Sequence, residues 1–207
     1  MLDKCIEALR GRVPHILGHE RAAKSAVLVP LVDYNGETCI LFEKRSSFLK
    51  QQPGEICFPG GGIEESDEGK AVAAIRETCE ELGLVPEDID LIASLDTMVT
   101  PFNAIIYSYV GYIKDYQKIT PNPDEVEEVF YVPLSFLLAN KPIYKKMSLI
   151  MDAPEDYPYE LIPQGKDYPF RQATYPQHFY IWQEYVIWGM TARILDHFLK
   201  MLKTVSL

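Results

Sequence analysis

The chain has 207 residues, 47% of them hydrophobic and 12% aromatic, which is enough to bury a core and too apolar for a disordered chain. Its 20 basic and 30 acidic side chains leave a formal charge of −10, which argues against a nucleic-acid partner. No apolar run reaches the ~18–20 residues of a membrane span, no signal-peptide core opens the chain, and Cys5, Cys39, Cys57 and Cys79 lack disulfide or zinc spacing. The expectation is a soluble, cytoplasmic protein with reduced thiols and no membrane partner.

Leu2, Cys5, Ile6 and Leu9 recur at helical spacing, so a short amphipathic helix opens an N-terminal extension over residues 1–22. His15 and His19 within it stand four apart, but no H-E-x-x-H accompanies them and they read as surface residues. "AVLVPLV" and "TCILFEKR" read as two strands joined by a turn at Asn35-Gly36. A short strand at Ile56–Phe58 enters three consecutive glycines, Gly60, Gly61 and Gly62. A helix follows and ends at Gly83, with Pro86 soon after. "IDLIASLDTMV" and "AIIYSYVGYI" read as strands, "EEVFYVP" as a strand or turn, and "LSFLLAN" as a short helix.

Residues 141–180 are rich in Tyr, Pro and Asp with little periodicity, and read as a loop and hairpin insertion. Aromatics from Tyr157 to Tyr185 suit the packing of that lobe, or a homodimer contact, better than the stacking of an adenine. Trp188, Ala192, Leu195 and Leu199 predict a closing helix over 188–205. No repeat or linker divides the chain, so a single domain over 1–207 is the simplest organisation. Strands and helices mixed in this order predict an α/β sandwich with a mixed sheet.

The helix after the glycines carries the chemistry. Ser66 or Asp67 is placed to cap it, and Val72, Ile75, Cys79 and Leu82 form its expected packed face. Glu77, Glu80 and Glu81 then gather on the other side. A solvated acidic face is the ordinary reading of such a cluster. It leaves the glycines unexplained, because three in a row weaken regular structure and expose the main chain to an approaching group. Hard divalent cations take carboxylate oxygens together with substrate phosphates. Carboxylates facing a diphosphate repel it by ~4 kcal/mol per charge pair at 4 Å and an effective dielectric near 20, unless divalent ions lie between them. The pattern predicts metal-assisted hydrolysis of a phosphorylated substrate.

The spacing G-x5-E-x7-R-E-U-x-E-E-x-G-U, with U a bulky aliphatic, is met by Gly62, Glu68, Arg76, Glu77, Glu80, Glu81, Gly83 and Leu84. It resembles the signature of the Nudix hydrolases, with Thr78 standing where an aliphatic is usual. "LFEKRSSFLKQQPGEICFPGG" from Leu41 to Gly61 resembles the segment that marks the coenzyme A pyrophosphatase branch. Glu43 departs from that segment's Thr, Lys50 from its Arg and Ile56 from its Val.

The resemblance implies a Nudix-type α/β/α sandwich and a Mg²⁺ or Mn²⁺ cofactor. It implies metal ligation by Glu77, Glu80, Glu81 and the carbonyl of Gly61, with Arg76 orienting the glutamates and Glu68 either touching metal or favouring the helix start. Family members draw the general base from the box or from a later loop, so Glu77 competes with Asp124, Glu125, Glu127 and Glu128; of the loop acids, Glu125 and Glu128 are the chosen candidates. Arg45 and Lys50 are the expected phosphate contacts. The implied activity is cleavage of coenzyme A or its thioesters, a small-molecule nucleotide substrate, into 3′,5′-ADP and 4′-phosphopantetheine. ADP-ribose or another nucleotide-linked diphosphate is the alternative substrate, and an inactive nucleotide sensor is the alternative class.

Overall fold

The computed structural model describes residues 1–204, beginning with the short helix α1 (Leu2–Leu9), none of whose residues is buried. The chain then runs through β1 (Ala23–Tyr34), reverses at Asn35-Gly36 and returns as β2 (Glu37–Arg45). Both turn residues have positive φ, 54° and 81°, which Asn-Gly tolerates and which matches the twist of the strands it joins. β3 (Ile56–Cys57) and β4 (Gly60–Gly62) lead into helix α2 (Lys70–Leu82). Next come β5 (Ile89–Ser94), β6 (Met98–Val99), β7 (Ala104–Ile113), β8 (Val126–Pro133) and helix α3 (Leu134–Ala139). β9 (Ile143–Leu149), β10 (Ala173–Trp182) and β11 (Tyr185–Ile187) precede helix α4 (Gly189–Thr204). The last helix is therefore found close to its expected bounds; Val205 lies outside the described residues.

The main sheet has the order β3-β2-β1-β7-β5, with β4 on β1, β6 on β7 and β8 on β2. β1 and β7 are parallel from Ala23 opposite Ala104 to Val32 opposite Ile113, while the other pairs are antiparallel, so the sheet is mixed as expected. Alternation sends the side chains of β1 and β2 to two cores. Val29, Ile40 and Phe42 pack with Leu195 and Phe198 of α4. Ala26, Leu28, Cys39 and Leu41 pack with Ala73, Ala74 and Leu82 of α2. Helices on both faces of one sheet make the α/β/α sandwich. Truncating Leu82, which is fully buried, to Ala would cost ~2–5 kcal/mol.

Two local expectations for α2 are corrected. Its N-cap is Gly69, without a side-chain hydrogen bond, so neither Ser66 nor Asp67 caps it; Asp67 is held by Arg76 instead. Its buried face is Ala73, Ala74, Thr78, Glu81 and Leu82, while Val72 is exposed. The two alanines let the helix lie close to β1, which rotates the buried stripe toward the glutamates. Large apolar residues mark a packed face less reliably than small ones where a helix must approach a sheet closely. Thr78 fits this contact by turning its hydroxyl onto the Ala74 carbonyl at 2.7 Å.

Within residues 141–180, β9 pairs with β10 in an antiparallel hairpin that runs on to Trp182. Its tip is held by edge-on contacts among Tyr157, Tyr159, Tyr168 and Phe170, the lobe packing expected of those aromatics. No helix among the described residues is long and apolar enough to cross a membrane.

Candidate active site

The glycine strand exists to bring two glutamates against the main chain. Gly60 has φ 147°, and a side chain there would collide with the Ala26 carbonyl and the Val27 backbone. Pressed onto β1, its N–H donates to Glu81 Oε2 at 2.8 Å. A Cβ at Gly61 would run into the carboxyl group of Glu77. Gly83 ends the helix in the left-handed conformation, φ 65°, against the Thr120 carbonyl. Gly60 and Gly83 are required for space and backbone conformation together, Gly61 for space alone.

The three glutamates are not equivalent. Glu81 is 3% exposed, the Glu77 side chain 15% and the Glu80 side chain 54%. Burial raises the Glu77 carboxyl above its ordinary range, opposed by Arg76. Burial, and then the negative charge of Glu43, raise Glu81. Glu43 is itself fully buried and raised by desolvation. Its Oε1 accepts the Cys57 thiol at 3.1 Å, whose own ionisation is disfavoured by burial and by that carboxylate. Glu43 Oε2 has no protein partner.

Arg76 organises the rim. Its Nη1 donates to Glu77 Oε1 at 3.0 Å and Glu80 Oε2 at 3.2 Å, and Nη2 donates to the Gly62 carbonyl at 3.1 Å. Nε and Nη2 fork onto Asp67, whose Oδ2 also takes the Glu64 N–H at 2.8 Å. Those bonds hold the Asp67 carboxyl below its ordinary range. Spacing along the chain gave no sign of this partnership, because Asp67 precedes the helix in a turn.

Among the described residues no three or more His, Cys, Asp or Glu side chains are grouped closely enough to hold a metal ion by themselves. The donor set nevertheless fits a hard cation. Glu77, Glu80, Glu81 and the Gly61 carbonyl offer oxygen only, and Glu43 Oε2, buried close enough to Glu81 to raise it, is an acceptor without a protein partner.

A cleft of about 390 Å³ opens beside these groups, lined by Arg45, Cys57, Gly60, Gly61 and Gly62, by Trp188 just before α4 and by Ile194 within it. Arg45 Nε is buried there without a partner. Lys50 is exposed and does not line the cleft. Of the loop acids, Glu125 raises Glu43, Glu77 and Glu81 by its charge, so it belongs to the acidic centre. Glu127 and Glu128 pair with Lys44 at 2.6 and 3.7 Å, and Glu128 also accepts from Tyr185 at 3.2 Å. Lys44 alternates with Glu43 along β2, so Glu128 faces the other side of the sheet and is corrected as a base candidate. Asp124 and Glu68 are exposed. Glu43 was legible as a charge on the inward-facing side of a strand; Trp188 and Ile194 had no signal beyond the helical pattern.

Residues 22–152 match the family model described as the NUDIX domain. The chain belongs to the Nudix family. It is 38% identical over 128 residues to the peroxisomal coenzyme A diphosphatase NUDT7 of Mus musculus, covering 62% of this chain and 54% of that protein. It is 35% identical over 138 residues to the mitochondrial coenzyme A diphosphatase NUDT8 of Homo sapiens, covering 65% of this chain and 58% of that protein. A solved MutT/nudix family protein from Enterococcus faecalis aligns with a TM-score of 0.49 at 15% identity, over 98% of this chain and 70% of that one. The chain spans about half the length of the first curated relatives it matches. The Nudix match ends before α4, so the wall carrying Trp188 and Ile194 lies beyond it.

Proposed function

We propose that this Nudix protein is a metal-dependent pyrophosphohydrolase that cleaves the diphosphate of coenzyme A or its thioesters, giving 3′,5′-ADP and 4′-phosphopantetheine or its acyl form. The observation that carries this reading is the cleft in which Arg45 and Gly61 meet, with Glu77 packed against the glycine. It joins a cation suited to phosphate with the carboxylates that would hold metal. The similarity to relatives named as coenzyme A diphosphatases supports the choice of substrate.

Glu77, Glu80, Glu81 and the Gly61 carbonyl would hold Mg²⁺ or Mn²⁺. When bound, the ion offsets phosphate charge and lowers the pKa of a water molecule. Arg45 engages a diphosphate oxygen, and its buried Nε gains a partner on binding. Arg76 fixes Glu77 and Glu80 so that little reorganisation is needed during the reaction. Water attacks phosphorus and a carboxylate takes its proton. Glu77 and Glu125 are the candidates. Reduced cysteines fit the cytoplasm as its location.

A substrate panel with Mg²⁺ or Mn²⁺ tests the proposal, with products identified by mass. Coenzyme A should yield 3′,5′-ADP. Strong turnover of ADP-ribose with none of coenzyme A would replace the substrate, and turnover of neither would favour a nucleotide sensor.

A further inference from the structure

β7 and α4 carry the cleft wall past the acidic centre into a second cavity. On β7, Ala104 and Ile106 line the cleft. Ser108, on the same strand face roughly 7 Å farther along, lines a separate cavity of about 220 Å³. On α4, Thr191 and Ile194 line the cleft, while Ile194 and His197, spaced about one helical turn of ~5.4 Å, line the second cavity. Ile194 is thus a wall shared by both spaces.

The polar groups facing this cavity are short of partners. Ser108 is 2% exposed and its Oγ has none within the protein. Arg193, also lining the cavity, has a buried Nη1 without a partner, and its guanidinium lies over the Tyr175 ring at 4.6 Å. Among the described residues the ion pairs of α4 join Asp196 to Lys200 and His178, and His197 to Asp96; Arg193 takes part in none. Asp96 is at the rim with its side chain 82% exposed, and its Oδ2 lies 2.9 Å from His197 Nε2, where water screens its charge. A buried guanidinium nitrogen and a buried hydroxyl, both without partners in one cavity, are costly unless an acceptor arrives. The forked donors of Arg match phosphate oxygens, and a phosphate group fits the volume.

We propose that this cavity is the subsite for a phosphomonoester on the substrate's ribose, the 3′-phosphate of a coenzyme A-type nucleotide, held by Arg193 and Ser108 with His197 at its mouth. The inference rests on the substrate reading above and deepens it. ADP-ribose carries no such group, so the subsite would discriminate between the two substrates.

Calorimetry without divalent metal, using 3′,5′-ADP, 5′-AMP and inorganic phosphate, tests the subsite apart from turnover. The wild-type protein should bind 3′,5′-ADP at least tenfold more tightly than 5′-AMP. Arg193→Met, which keeps the packing of the stem, should erase that ratio, and Arg193→Lys should restore part of it. Equal affinities in the wild type, or an undiminished ratio in Arg193→Met, overturn the proposal. So does binding of inorganic phosphate with no gain from the 3′-phosphate on the nucleotide. If Arg193→Met loses its cooperative melt, Ser108→Ala reads the same ratio with the cation in place. A several-fold fall supports the subsite and an unchanged ratio overturns it. Because no hydrolysis is measured, failure of coenzyme A turnover in the substrate panel leaves this result readable on its own.

Discussion

Arg76 and Asp67 are joined by two hydrogen bonds, Nε to Oδ1 at 3.0 Å and Nη2 to Oδ2 at 3.1 Å. The remaining face of the same guanidinium holds Glu77 and Glu80, so a loop residue outside the helix fixes how the helix presents its carboxylates. Arg76→Lys keeps the charge and loses the planar fork. It should lower kcat by about 10–100-fold while leaving cooperative unfolding intact. Asp67→Asn should do the same in the same direction. Steady-state kinetics with a thermal melt on each variant checks this; unchanged kcat in both would remove the positioning role.

Glu81→Gln should reduce turnover by about 100- to 1000-fold, the scale of losing a central electrostatic group. The amide oxygen can still accept from the Gly60 N–H that reaches Glu81 at 2.8 Å, so the fold survives. Calorimetric titration with Mg²⁺ or Mn²⁺ should show weakened binding. Full metal affinity in this variant would remove Glu81 from the ligand set.

Gly61→Ala would drive its methyl group into the Glu77 carboxyl. Displacing that side chain should cost ~1–3 kcal/mol of stability and most of the activity. Gly62→Ala, where an added Cβ meets nothing nearby, is the control. Equal effects of the two substitutions in denaturant melts and assays would contradict the close contact at Gly61.

Burial raises Glu43 and Glu81 in the folded chain, so the unfolded chain releases these protons first as pH rises. The folded state then binds more protons than the unfolded one, and stability falls with pH between the ordinary carboxylate range and the raised values. Glu43→Gln should flatten that fall in the metal-free protein, gaining ~1–2 kcal/mol at neutral pH by removing a buried charge. Divalent metal should release protons on binding and counter the loss. Melting temperatures across pH, with and without Mg²⁺, report both effects. An unchanged fall in Glu43→Gln would mean that Glu43 ionises in the folded chain at no cost.

The hairpin at Asn35-Gly36, the mixed strand and helix order, and the Nudix box were legible in the sequence alone, because each rests on short-range geometry. A two-residue turn, a period of two or 3.6 residues, and glycines beside a helix are written within a few positions of one another. Tertiary structure alone decided which acids are equivalent and which are not. Glu81 and Glu43 lie far apart in the chain, yet close packing of Ala73 and Ala74 against the sheet buries both in one centre. The alternation of β2 turned Lys44, and with it Glu128, to the opposite face. The partner of Arg76 and the walls supplied by α4 also came from segments joined only by folding, since burial and charge depend on what the rest of the chain brings near, and no local pattern records that.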